Sequence, residues 1–164
     1  MSTKITDYQD AIHSLEQQRS SLATSKDWIT LAEKWKSEDR QEKVIFCYEK
    51  ALEFLKTDST YAQDACYAAI EMGHAHRRLG HHRPARHAYQ LAVSLSQVDT
   101  HPNEAGANAY FHLASLAQQT WNLGFAVDFY RKSKAIYELL NKTDEAQALE
   151  TRILDCQSKK ITER

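Results

Sequence analysis

Apolar residues recur three and four positions apart along most of this chain, in runs of eleven to twenty residues separated by short polar stretches. That spacing keeps one stripe of a helix apolar, whereas a half-buried strand would alternate. The runs have mostly helix-forming composition and only four Gly and two Pro interrupt them, so the pattern predicts an all-α chain. Displacing the sequence by 41 residues superimposes one segment on the next. Trp28, Ala69 and Tyr110 align, then Leu31, Met72 and Leu113, then Ala32, Gly73 and Ala114. Farther on come Val44, Ala85 and Ala126, then Tyr48, Tyr89 and Tyr130, then Ala51, Ala92 and Ser133. A unit repeated at fixed period marks an array in which each copy buries its apolar face against its neighbours.

The first copy reads Trp28-x2-Leu31-Ala32-x2-Trp35, eight further residues, then Val44-x3-Tyr48-x2-Ala51. This resembles the tetratricopeptide repeat, a helix–turn–helix unit with the pattern W-x2-L-G-x2-Y followed by Ala-x3-Phe and a further Ala. The second copy has Gly73, Leu79-Gly80, Ala85, Tyr89 and Ala92 in place, and the resemblance covers Lys26 to Asn141. Small residues at Ala32, Gly73 and Ala114 let the first helix of a unit approach its partner, while Tyr48, Tyr89 and Tyr130 fill the groove from the second. The family unit is about 34 residues long, so the longer period here implies longer helices. Such units look like those of kinesin light chains and of quorum-sensing regulators with tetratricopeptide domains. The resemblance implies a right-handed α-α superhelix of three hairpins within one domain.

Turn chemistry sets the expected boundaries: an N-terminal helix over 1–24, repeats over 25–60, 61–101 and 102–142, and a C-terminal capping helix over 143–164. Ser25 is the expected N-cap before Trp28, and Pro102 in "DTHPNE" an expected first helical residue. "SEDRQ", "LGHHRP" and "WNLG" read as tight turns within the units, with Gly80 and Gly124 available for positive φ and Pro84-Ala85 opening a helix. Ile5, Tyr8, Ile12, Leu15 and Leu22 form one capping stripe; Ala146, Leu149, Ile153 and Cys156 form the other.

In the family that this sequence resembles, first helices line the concave side. Carried over by position, the lining is Lys26, Ile29, Glu33, Lys36 and Ser37, then Tyr67, Ile70, His74, Arg77 and Arg78, then Asn108, Phe111, Ser115, Gln118 and Gln119. Ile29, Ile70 and Phe111 would make an apolar track beside Tyr67, flanked by cations suited to a peptide bearing carboxylates. Ile70 and Phe111 equally fit ordinary core on extended helices. One subgroup of the family grips a C-terminal carboxylate with Lys and Asn on its first helix; Ile29 and Glu33 occupy those places here, which argues against that clamp.

Net charge is close to balanced, at −1, but uneven along the chain. From Met72 to Val98 there are four arginines and no Lys, Asp or Glu, so this segment carries +4 and the rest −5. "GHAHRRLGHHRPARHA", residues 73–88, also holds five histidines. Their spacings of two and five do not place metal ligands on one helical face. A site assembled across the turn from His76, His81 and His87 has no carboxylate within the segment to orient it, and His101 and His112 form no motif with them. Arg77, Arg78, Arg83 and Arg86 could meet phosphates, yet they are split between two helices and a turn and the domain is not basic, which argues against nucleic acid. Arg77 and Arg78 near a helix C-terminus also complement its dipole without any ligand. Clustered histidines of ordinary pKa raise the expectation that acidification makes the second unit more cationic.

The sequence lacks a Walker A loop, GxGxxG, HExxH, GxSxG and any Cys–His pair at a family spacing, so neither enzyme nor cofactor is expected. Cys47, Cys66 and Cys156 are far apart and form no CxxC, which suits reduced, packed thiols. Without a secretory apolar run or membrane span, the expected location is the cytoplasm. The expected function is an adaptor or scaffold that binds a protein or peptide with acidic character in its groove, with homodimerisation through a capping helix possible. A small cytoplasmic chaperone, a peptide-sensing regulator, and a nucleic-acid-associated protein are the alternatives.

Overall fold

The computed structural model describes residues 25–56, 59–98 and 101–162. The expected N-terminal helix with Ile5, Tyr8, Ile12, Leu15 and Leu22 lies outside the described residues. Within them, the chain forms seven α-helices and no strand: α1 (Ser25–Ser37), α2 (Gln41–Leu55), α3 (Ala62–Arg78), α4 (His82–Ser96), α5 (Glu104–Gln119), α6 (Leu123–Leu139) and α7 (Thr143–Thr162). A short 3₁₀ turn, Ser59–Tyr61, leads into α3. Each helix packs on the next, so the first six form three hairpins in series and α7 closes the end against α6. The second helices start at Gln41, His82 and Leu123, in step with the 41-residue offset of the sequence.

Tight turns close each hairpin through left-handed backbone at Asp39 (φ 57°), Gly80 (φ 74°) and Trp121 (φ 56°), and Asn141 (φ 57°) repeats the device before α7. At Gly80 the absence of a side chain makes this conformation unstrained, as a helix C-terminus commonly requires. Gly124, expected to share that role, lies inside α6, and Trp121 takes the left-handed position instead. Pro102 likewise stands outside the helix that it was expected to open. Asn103 is the cap of α5: its side chain accepts from the Gly106 amide at 2.8 Å and donates to the Ser96 carbonyl at 2.9 Å. An Asx cap satisfies an orphan amide, which Pro102 could not do. Pro84 sits in the first turn of α4, where its missing N–H leaves no hydrogen bond unmade.

Two apolar cores meet at α5. Trp28, Trp35, Tyr48, Cys47, Leu52, Ile70, Met72 and Tyr89 belong to one, with Ala109, Leu113 and Leu116 of α5 completing it. Ala107, Ala114 and Ala117 of α5 turn the other way, onto Leu123, Tyr130, Tyr137, Leu149, Ile153 and Cys156. Small side chains on both faces allow a central helix to be covered on two sides at once. All three cysteines are buried and free. Burial pushes the Cys47 thiol up to about 12 and Cys66 up to about 11, well away from reactive thiolates.

Candidate functional site

Polar side chains on α1, α3, α5 and α7 meet one another along a single face. Lys36 of α1 reaches Glu71 of α3 at 2.5 Å, and Glu33 accepts from both Tyr48 and Tyr67, the latter at 2.9 Å. Next along, His74 Nδ1 lies 3.3 Å from Glu71, while its Nε2 is 3.2 Å from His112 Nδ1 on α5. Beyond that, the Arg152 guanidinium of α7 lies 5.3 Å from the Phe111 ring centre, and Gln118 donates to Asp155 at 3.2 Å. First helices α3 and α5 touch directly here.

Glu71 is the electrostatic pivot of this face. Burial opposes its ionisation, yet the His74 and Lys36 hydrogen bonds overcome that and hold its carboxyl down to about 2. Burial likewise opposes the charge on Lys36, but its hydrogen bond to Glu71 raises its pKa. His112 goes the other way: burial, then the charges of His74 and Arg77, push it down to about 3, so it stays neutral.

A pocket of about 260 Å³ opens beside this pair, walled by Lys36, Gln41, Glu71, His74, Arg77 and Arg78, with His112 at its side. Its cations are not equally engaged. Lys36 is committed to Glu71, and Arg78 stands 3.6 Å from the exposed Asp39, a contact of little energy at the surface. Arg77 is half-buried and, among the described residues, pairs with no carboxylate. Beneath the pocket Tyr89 is fully buried, stacked at 21° on His112, and its hydroxyl finds no partner among the described residues.

Solved structures share the fold of this chain across nearly its whole length. BtubC (BKLC) from P. vanneervenii is 14% identical with a TM-score of 0.60, and the match covers 96% of this chain and 76% of that one. MamA is 19% identical with a TM-score of 0.55, covering 98% and 94%. A putative kinesin light chain from Podosopora anserina, described as having nearly identical TPR-like repeats, is 16% identical with a TM-score of 0.57, covering 96% and 90%. The fold is a tetratricopeptide-like solenoid. No family model matches the chain, and no curated protein matches it.

Within this tetratricopeptide-like array, the residues singled out from the sequence separate into groups. Lys36, His74, Arg77 and Arg78 share the pocket, with Glu33 and Tyr67 beside it through Lys36. Phe111 and Gln118 fall farther along, against His112 and α7. Asn108 is drawn back to α6, where it accepts from Tyr137 at 2.7 Å. Among the described residues, no hydrogen bond or ion pair joins the side chains of Lys26, Ser37, Ser115 or Gln119 to the pocket. The apolar track does not form: Ile70 is 7% exposed in the core, while Ile29 and Phe111 are half-buried and packed onto the two cores. A middle helix flanked on both sides buries a wider arc than one apolar stripe, and Ile70 falls inside it.

Three contributors went unread in the sequence. Glu71 lies one residue outside the carboxylate-free segment, yet it orients His74, and His112 completes the pair across α5. Displacing His74 by the repeat offset lands on Ser115, three residues from His112, so only a facing-helix argument could have joined them. Arg152 and Asp155 of α7 are the third. His76, His81 and His87 are not assembled: the His76 and His81 rings are 6.0 Å apart, and His81 and His87 are exposed. Among the described residues no three His, Cys, Asp or Glu side chains are grouped to hold a metal ion. None of the helices is long and apolar enough to cross a membrane, again among the described residues.

Proposed function

We propose that this protein is a protein-interaction module whose first-helix face takes an acidic peptide or helical segment at the pocket between Lys36, His74, Arg77 and Arg78. Arg77 carries the reading. A half-buried guanidinium without a carboxylate has given up part of its hydration and lacks the bidentate partner that would replace it. An aspartate, a glutamate or a C-terminal carboxylate supplies that partner, with Arg78 free to join because its tie to Asp39 is weak. Glu71 is already neutralised by Lys36 and lies within hydrogen-bond reach of His74, so it does not cancel the cations that face the pocket mouth. The segment gains orientation from His74 and Gln41, and no catalytic step is invoked.

An array of short peptides that vary only in acidic, neutral or basic character tests this on the full chain. Acidic members bind preferentially, and Arg77→Glu with Arg78→Glu abolishes that preference while the helical circular dichroism is unchanged. Binding that ignores peptide charge, or survives the double variant, removes the site from this pocket.

A further inference from the structure

The second helices leave a groove on the side of the array away from Arg77. First helices α3 and α5 touch, whereas α4 and α6 stand farther apart, with α5 forming the floor between them. A hollow of about 170 Å³ results, lined by Arg86, Gln90, Leu113, Ala117, Phe125 and Phe129. Its floor is apolar and buried, with Leu113 at 4% and Ala117 at 7% exposure, but its α6 wall stands in water: Phe125 is 65% exposed. Phe125, Phe129 and Tyr110 stack in sequence, with ring centres 6.4 and 6.3 Å apart. Next to Phe125, Trp121 is 64% exposed on a left-handed backbone (φ 56°), where the preceding repeat uses Gly80. A large side chain kept in that conformation is strained relative to glycine, and this one stays mostly in water.

Cations border the aromatic run. Arg86 stands on the α4 rim, Lys132 lies 5.5 Å from the Tyr110 ring centre, and Lys160 of α7 lines the adjoining hollow with Trp121, Phe125 and Asp128. Among the described residues, Arg86 and Lys160 have no carboxylate partner, and Asp128 is the one acid lining either hollow. We infer that this α4–α6 groove is a second docking surface, for an acidic amphipathic helix of a partner protein that seats apolar side chains against Phe125 and Leu113 and sets carboxylates against Arg86 and Lys160. A helix fits because a groove between two helices accepts apolar anchors at i, i+3 and i+7. Two copies of this chain meeting here would set like cations face to face, which disfavours self-association. A recessed apolar floor with a polar rim at Gln90 and Asn122 suits a side chain better than a flat lipid surface.

The probes are two labelled peptides of about twelve residues with identical Leu and Phe anchors at i, i+3 and i+7, their polar positions all Glu in one and all Lys in the other. Anisotropy on the full chain is read in wild type, Arg77→Glu/Arg78→Glu, Phe125→Ser and Arg86→Glu, with circular dichroism confirming that each variant is folded. The Glu peptide binds at least about tenfold more tightly than the Lys peptide in Arg77→Glu/Arg78→Glu, and that component weakens about tenfold when Phe125→Ser or Arg86→Glu is added. Because the first-helix face is silenced in that background, failure of the proposed pocket and failure of this groove are read separately. Absence of a Phe125-dependent component, or equal affinity for the two peptides, overturns the inference. So does Phe125-dependent binding to phosphatidylserine vesicles without peptide binding, or concentration-dependent dimerisation that Phe125→Ser abolishes.

Discussion

His74 and His112 share a hydrogen bond, Nε2 to Nδ1 at 3.2 Å, that joins α3 to α5 in the middle of the first-helix face. Two imidazoles can do this only while one supplies the N–H and the other a lone pair. Glu71 and Arg77 of α3, Tyr89 of α4 and Phe111 of α5 surround the pair.

Acid weakens this joint. Burial, reinforced by His74 and Arg77, lowers His112 from 6.5 to about 3 in the folded chain. The unfolded chain therefore holds more protons than the folded one between those values. Stability contributed by neutral His112 is complete above about pH 6.5 and declines as the pH falls towards 3, by up to about 1.4 kcal/mol per pH unit. His76, lowered by burial and then by His81, acts with the same sign. Glu71 adds its own loss only as the pH falls from 4.5 towards 2. Urea unfolding from about pH 7.5 down to 4.5 shows a falling midpoint in wild type and a shallower fall in His112→Phe. Equal slopes reject His112 as the titrating group.

Gly73 of α3 lies directly against the Tyr89 ring of α4, with no room for a side chain. A Cβ there would lie 2.4 Å from Tyr89 Cε1 and 2.7 Å from Cδ1. Alanine would favour the helix by about 1 kcal/mol in an exposed position, but here it displaces a ring held between Gly73 and His112. Gly73→Ala is expected to be net destabilising by about 1–3 kcal/mol, seen as a lowered thermal midpoint. A raised midpoint shows that Tyr89 can move aside freely.

The three equivalent tyrosines differ at their hydroxyls. Tyr130 donates to Gln118 at 2.8 Å and Tyr48 to Glu33, whereas the Tyr89 hydroxyl is buried without a partner among the described residues. Removing a hydroxyl that makes no hydrogen bond relieves a desolvation cost, so Tyr89→Phe leaves stability within about 0.5 kcal/mol or raises it. Tyr130→Phe lowers it by about 1 kcal/mol. Chemical denaturation of the two variants side by side checks the contrast, and equal losses contradict it.

The contacts that repeat were legible in the sequence, because a fixed offset compares like with like. Tyr48, Tyr89 and Tyr130 are each fully buried, as are Ala32 and Ala114 opposite them. What differs from unit to unit was harder to read. Gly124 carried the residue type of a left-handed turn, but the turn falls three residues earlier at Trp121, since register outweighs composition once neighbouring hairpins fix where a helix must end. Ile70 had the spacing of a groove residue, yet α3 is covered from both sides. The Lys36–Glu71–His74–His112 chain crosses from α1 to α3 to α5, and periodicity along one helix carries no information about which polar tips meet across helices. The arginines of residues 73–88 also divide: Arg77 and Arg78 serve the first-helix pocket, while Arg86 stands on the α4 rim of the opposite groove.

One buried bond is made from opposite sides in successive hairpins. In the second, the Cys66 thiol of the first helix donates to the Ala92 carbonyl of the second helix at 3.3 Å. In the third, the Ser133 hydroxyl of the second helix donates to the Ala107 carbonyl of the first at 2.8 Å. Positions 66 and 107 correspond under the 41-residue offset, as do 92 and 133, so donor and acceptor have traded helices. A chimera that joins α5 to α4 brings Ala107 against Ala92 with no donor, whereas one that joins α3 to α6 crowds Cys66 against Ser133. Whole hairpins can be duplicated, deleted or grafted without breaking this match, and single helices cannot. The segment that lineage or laboratory recombination can shuffle in this protein is therefore the helix pair, cut between α2 and α3 or between α4 and α5.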